Sequence, residues 1–73
     1  MSYAYTPIVK VFRPLIPDGP ARIVDRLGAI DARRPLTAAE CKMWRKGRDV
    51  EWFQAEAKNG KVTLIKRVEA QSW

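Results

Sequence analysis

Lys42, Arg45 and Lys46 fall three and four positions apart, the spacing of neighbours on one helical face, and Arg48 follows close behind. Arg33 and Arg34 lie just upstream. Such a cluster can meet successive phosphates or a run of carboxylates, and each neutralised phosphate releases counterions. Cations near a helix C-terminus also offset its dipole, so the same residues have a plain structural reading. A second basic group flanks a tight turn: Lys58 and Lys61 bracket Asn59-Gly60, forming a tip able to reach an anionic surface. Lysines at such a turn also keep a strand end from pairing with other chains. The third constellation is Trp52 with Arg67. A guanidinium over an indole is a cation–π pair, and open sheets carrying aromatic and Arg side chains stack single strands or form protein hot spots.

Proton-transfer and nucleophilic chemistry find little here. The chain has no His, the residue that titrates near neutral pH. Cys41 is the single cysteine, which leaves no intramolecular disulfide and too few ligands for a structural zinc site. The four glycines, at 19, 28, 47 and 60, are scattered among turns and form no phosphate loop. The expectation is a protein without catalytic residues, metal or cofactor.

The elements that must position these groups begin with Ile8 to Arg13, a Val/Ile-rich run bracketed by Pro7 and Pro14. It reads as a short edge strand over 8–13. Tyr3 and Tyr5 alternate around Ala4, as in an extension of that strand or a contact arm. Ile23, Val24, Leu27 and Ile30 recur at helical spacing and predict a short helix over 20–27, although Ile23 and Val24 equally suit a strand. Residues 28–35 read as connecting chain. Thr37-Ala-Ala-Glu40 is a capping box and predicts a helix over 38–46, with Gly47 as its left-handed exit.

The remainder predicts a hairpin of strands 50–57 and 62–69 around Asn59-Gly60, the strongest short-range hairpin turn. A two-residue turn pairs Ala57 with Val62, Ala55 with Leu64 and Phe53 with Lys66. The opposite face then pairs Glu56 with Thr63, Gln54 with Ile65 and Trp52 with Arg67. The expected fold is α+β: one small domain over 1–73, a three-stranded antiparallel sheet packed on helix 38–46. Phe53, Ala55, Val62, Leu64, Cys41 and Trp44 form its expected core. Trp73 either folds back onto the sheet or stays loose.

Seventy-three residues bury about 60% of their unfolded surface, so stability is modest and a homodimer would supplement the core. The apolar fraction of 47%, with three Trp, two Tyr and two Phe, supports a packed interior rather than disorder. No apolar run reaches membrane-span length, and the N-terminal residues do not form a signal peptide, so a cytoplasmic protein is expected.

Fourteen Lys and Arg oppose eight Asp and Glu, a net charge of +6. The field of such an excess attracts anions. The predicted order β-α-α-β-β with a basic hairpin resembles, in layout, the latter part of a winged helix. That resemblance implies that helix 38–46 reads a major groove and Lys58–Lys61 acts as the wing. The first helix of that fold has no counterpart here. The leading expectation is a small basic protein acting on nucleic acid or nucleic-acid machinery through its Lys/Arg patch. The competing class is a stand-alone protein–protein inhibitor, of the phage or mobile-element, anti-CRISPR-like kind, engaging an acidic or nucleic-acid-handling protein surface. A minor subunit of a larger assembly is a third reading.

Overall fold

The computed structural model describes residues 4–70; Tyr3 and Trp73 lie outside the described residues. The chain runs β1 (Ala4–Tyr5), β2 (Ile8–Phe12), β3 (Ala21–Asp25), β4 (Asp31–Arg34), α1 (Ala38–Met43), β5 (Val50–Lys58) and β6 (Lys61–Val68). All pairings are antiparallel. β5 is the central strand. One of its edges takes β6, and the other takes β2 at residues 50–54 and β1 at residues 57–58. Between β1 and β2 the Pro7 carbonyl accepts the Ala55 N–H at 2.9 Å, so the break costs no backbone partner there. β3 and β4 extend the sheet beyond β2, and the whole curls into a half-barrel.

This corrects the expected three-stranded sheet packed on a helix. Residues 20–27 hold no helix. Ala21, Ile23 and Asp25 are buried while Arg22 is exposed, the two-residue period of a strand. The helical spacing of Ile23, Val24, Leu27 and Ile30 is coincidental, because Leu27 sits in solvent within a turn. Within residues 28–35, expected as connecting chain, that turn leads into a return strand, Asp31–Arg34. Asp25 N–H donates to the Ile30 carbonyl at 3.2 Å, the Ile30 N–H donates to Asp25 Oδ1 at 3.3 Å, and Gly28 takes φ 75°. Without helix 20–27, the winged-helix layout also falls.

The capping box forms as expected: Glu40 N–H donates to Thr37 Oγ1 at 3.2 Å, and Thr37 N–H donates to Glu40 Oε1 at 2.9 Å. The helix nevertheless ends at Met43, not at residue 46. Trp44 turns to φ −70°, ψ 134° and stacks on Phe53, with ring centroids 6.0 Å apart and planes at 25°. Gly47, at φ 83°, belongs to a separate turn closed by Arg48 N–H to the Arg45 carbonyl at 3.4 Å.

The Asn59-Gly60 turn holds, both residues at positive φ, and Ala57–Val62 and Ala55–Leu64 pair as expected. Beyond them the register shifts, because Ile65 is an extra residue on β6. Gln54 therefore faces Lys66, Phe53 faces Arg67, and Trp52 faces Val68.

The core is the concave face: Val9, Val11, Ala21, Ile23, Ile30, Phe53, Ala55, Ala57, Val62 and Leu64, with Leu36, Met43 and Trp44 packed against it. Full burial of a side chain such as Phe53 or Ile23 is worth about 1.5–3 kcal/mol. Cys41 is exposed, not part of this core, because the short helix turns Glu40 inward instead. Glu40 and Arg34 span the gap between the two outer strands. Arg34 Nη1 and Nη2 donate to the two Glu40 oxygens at 2.7 Å each, and Nη2 also donates to the Val62 carbonyl at 2.8 Å. The Leu64 N–H donates to Glu40 Oε2 at 3.1 Å. Two side chains thus satisfy the β6 edge where a further strand would lie.

Candidate functional site

The convex face of the sheet gathers the groups best suited to bind something. Alternation along each strand sends Val9 and Val11 inward and Ile8, Lys10 and Phe12 outward. The registers then fix cross-strand rows on the outer face. One row reads Val50, Phe12, Arg22, Arg33 from β5 to β4. The next reads Val68, Trp52, Lys10, Val24, Asp31 from β6 to β4. A third begins Lys66, Gln54, Ile8. Trp52, Phe12, Val24, Ile8, Val50 and Val68 are all half-buried, so an apolar strip remains open to solvent between cations.

Lys10 sits at the centre. Its ammonium lies 4.9 Å from the Trp52 ring centroid and 5.7 Å from that of Phe12. The expected partner of Trp52 was Arg67. The bulge at Ile65 places Arg67 opposite Phe53 instead, and Lys10 makes the cation–π contact.

Arg22 and Arg33 stand directly opposite each other on β3 and β4. Like charges so placed repel. Asp31 relieves the repulsion in part, accepting from Arg22 Nε at 3.3 Å and Nη2 at 3.2 Å. The Arg22 hydrogen bond holds the Asp31 carboxyl below its ordinary value against its desolvation, with the charges of Arg22 and Arg33 adding to the effect.

The remaining cations are dispersed. Lys42 is exposed on the last turn of α1, and Arg45, Lys46 and Arg48 are exposed in the turn after it rather than on a helical face. Arg48 Nε lies 3.7 Å from the buried Glu51 carboxylate. Lys58 and Lys61 face each other at the mouth of the last hairpin. Arg34 is directed inward to Glu40 and Val62. Sequence reasoning singled out Arg33 and Trp52 on the convex face but missed Lys10, Phe12 and Arg22. The alternation of Ile8, Lys10 and Phe12 against Val9 and Val11 was the available signal. The β3 partner was hidden by the helical reading of residues 20–27.

Two open grooves flank the loop after β2. The larger, about 870 Å³, runs from Phe12, Arg22 and Arg33 to Asp49 and Val50. The smaller, about 580 Å³, includes Leu36, Trp44 and Lys46. Arg13, Pro14, Leu15 and Ile16 line both. Leu15 is completely exposed and Ile16 is 63% exposed. Among the described residues no helix is long and apolar enough to cross a membrane. Comparison with protein-family models, curated proteins and solved structures finds no match to this chain.

Proposed function

We propose that this protein is a non-enzymatic nucleic-acid-binding module that holds a single strand on its convex sheet face. The observation that carries the reading is Lys10 set between the rings of Trp52 and Phe12, with Arg22 and Arg33 in the adjoining row. Half-open aromatic rings on a sheet are stacking platforms, and interleaved cations follow a phosphate backbone. A cation–π contact is worth about 0.5–1 kcal/mol at an exposed site and about 2 kcal/mol when desolvated, and stacking a base on an aromatic ring is worth about 1–3 kcal/mol; Lys10 and Trp52 are half-buried. In this reading a base stacks on Trp52 and the Lys10 ammonium pairs with the neighbouring phosphate.

A single strand fits better than a duplex. The major groove admits a helix or a two-stranded ribbon, and this face is a convex sheet several strands wide. The helix is six residues long and carries no Asn or Gln to read base edges. The test is fluorescence anisotropy with labelled 12-nucleotide DNA and RNA, single-stranded and duplex, at low salt. Single strands should bind more tightly than duplex. Trp52→Ala should weaken them by about 5- to 100-fold. Equal affinity for duplex, or an unaffected Trp52→Ala variant, would overturn the reading.

A second reading, a protein–protein inhibitor, is favoured by Leu15 and Ile16, large apolar side chains held in solvent beside Arg13. Such a contact would keep most of its affinity at high salt, because apolar burial is not screened. A single-strand complex would lose it steeply.

A further inference from the structure

We infer that the larger groove receives one unstacked nucleotide of the bound strand, its base against Phe12, Leu15 and Ile16 and its phosphate on Arg22 and Arg33. This rests on the single-strand reading above and adds a subsite that the sheet face alone does not supply.

The groove has two chemically different ends. Across the sheet order its outer row runs Arg33, Arg22, Phe12, Val50. The β3–β4 end therefore carries two guanidiniums side by side, and the β5 end carries Val50 and Asp49 with Arg13 adjoining. Asp31 is the single carboxylate hydrogen-bonded to the Arg22–Arg33 pair among the described residues, and it bonds Arg22. A phosphate bridging Arg22 and Arg33 removes the remaining like-charge repulsion and gains charge-assisted hydrogen bonds. At the opposite end the one guanidinium, Arg13, is offset by the Asp49 carboxylate, so the paired cations are the stronger phosphate site. The orientation of the occupant is set by these charges.

The middle of the groove is apolar. Pro14, Leu15, Ile16 and Pro20 face it from the loop, with Phe12 on the sheet side. The loop is shaped by its own chemistry: Gly19 N–H closes a turn on the Ile16 carbonyl at 3.0 Å, and Asp18 sits at φ 62°. The Arg13 N–H donates to the Asp49 carbonyl at 2.8 Å and ties the loop's start to β5. The result leaves Leu15 and Ile16 in water beside a ring. A base slipped between them covers apolar surface that is otherwise in water. At about 870 Å³ the groove lies within the size range of small-ligand sites. Because Phe12 borders both the groove and the Lys10–Trp52 strip, one strand can run from the strip into the groove.

The test is an amide chemical-shift titration of the full chain with a hexathymidylate, with 5′-AMP, with adenosine and with inorganic phosphate. The oligonucleotide should shift the amides of Lys10 and Trp52 together with those of Leu15, Ile16 and Arg33. AMP should shift the groove set alone, at least tenfold more weakly than the oligonucleotide, and adenosine and phosphate more weakly still. Leu15→Ser and Arg33→Ala, both at exposed positions, should each weaken the oligonucleotide by about three- to tenfold with the fold intact. Shifts at Lys10 and Trp52 with the groove amides unmoved would overturn the groove assignment and leave the single-strand reading standing. AMP binding as tightly as the oligonucleotide would make this a free-nucleotide site and overturn its place on a strand. No shift in either set overturns both.

Discussion

Arg34 and Glu40 meet through two hydrogen bonds of 2.7 Å, and each then reaches a different backbone group of the same strand, the Val62 carbonyl and the Leu64 N–H. The pair stands in for the strand that would otherwise close the half-barrel. It ties β4, α1 and β6 together across the open side of the sheet. The Glu40 side chain is almost fully buried, and its carboxylate accepts four hydrogen bonds, two from Arg34 and one each from the Thr37 and Leu64 amides.

Glu40→Ala should therefore be among the most damaging single substitutions. It strands the half-buried Arg34 guanidinium and frees the Leu64 N–H, and removing one partner of a buried pair costs about 3–5 kcal/mol. For a domain of this size that approaches the whole stability. Urea denaturation of the wild type and of Arg34→Met, Glu40→Ala and the double variant checks it. The double variant should lose less than the sum of the singles. Strict additivity would mean that the two residues do not act through each other.

Acid should weaken the same connection. Burial alone pushes the Glu40 carboxyl up. The Arg34 hydrogen bonds, the Thr37 and Leu64 amides and the Arg34 charge outweigh it and bring the group from an ordinary 4.5 to about 2. A folded-state pKa below the unfolded one contributes stability that is fully present above about 4.5. It is lost as pH falls toward about 2, and the contribution is on the order of 3 kcal/mol. The urea midpoint should fall across that window in the wild type. Glu40→Gln should show a flatter acid limb. Parallel acid limbs in the two proteins would show that another group drives the loss.

Cys41 offers a separate check on the helix. The expected core placed it beside Trp44, but the capping box turns Glu40 inward and leaves the neighbouring Cys41 in solvent. Its thiol lies 3.9 Å from the Leu36 carbonyl, a weak contact. A thiol reagent should modify native Cys41 without unfolding, at a rate within about tenfold of the unfolded chain. A rate that rises only with denaturant would bury this helix face.

Local chemistry was legible at two motifs, though not at Gly47, which belongs to a separate turn and does not end the helix. Thr37 and Glu40 announced their capping box, and Asn59-Gly60 announced its turn and the first pairs beyond it. Non-local pairing was not legible. Asp25 interrupts the apolar alternation of β3 because it is buried to accept the Ile30 N–H, so a polar residue occupies a core-facing position. Arg34 reads as part of a surface charge run, yet it turns inward because Glu40 and the Val62 carbonyl await it. The bulge at Ile65 also leaves no residue signature, since Ile65 is apolar and exposed. That single extra residue separated Trp52 from Arg67 and hid the site, whose centre, Lys10, lies 42 positions before Trp52 in sequence.

The cations should contribute unequally to binding, and salt dependence separates them. Arg22 and Arg33 lie in the row beside Phe12, so removing a phosphate contact there should reduce the magnitude of the log–log salt slope by about 0.7 on a single strand. Arg33→Ala is the cleaner variant, because Arg22 also holds Asp31. Trp52→Ala should weaken binding while leaving the slope unchanged, since stacking releases no counterions. Lys42→Glu with Lys46→Glu changes net charge by four, all at exposed positions outside the Phe12 row. It should act mainly through the general field, which is screened beyond about 8 Å at physiological ionic strength. Its effect should shrink to about threefold or less there and leave stability within about 0.5 kcal/mol. A double-Glu variant that abolishes binding at physiological salt, with Trp52→Ala and Arg33→Ala unaffected, would move the site from the convex sheet to the helix and the turn after it.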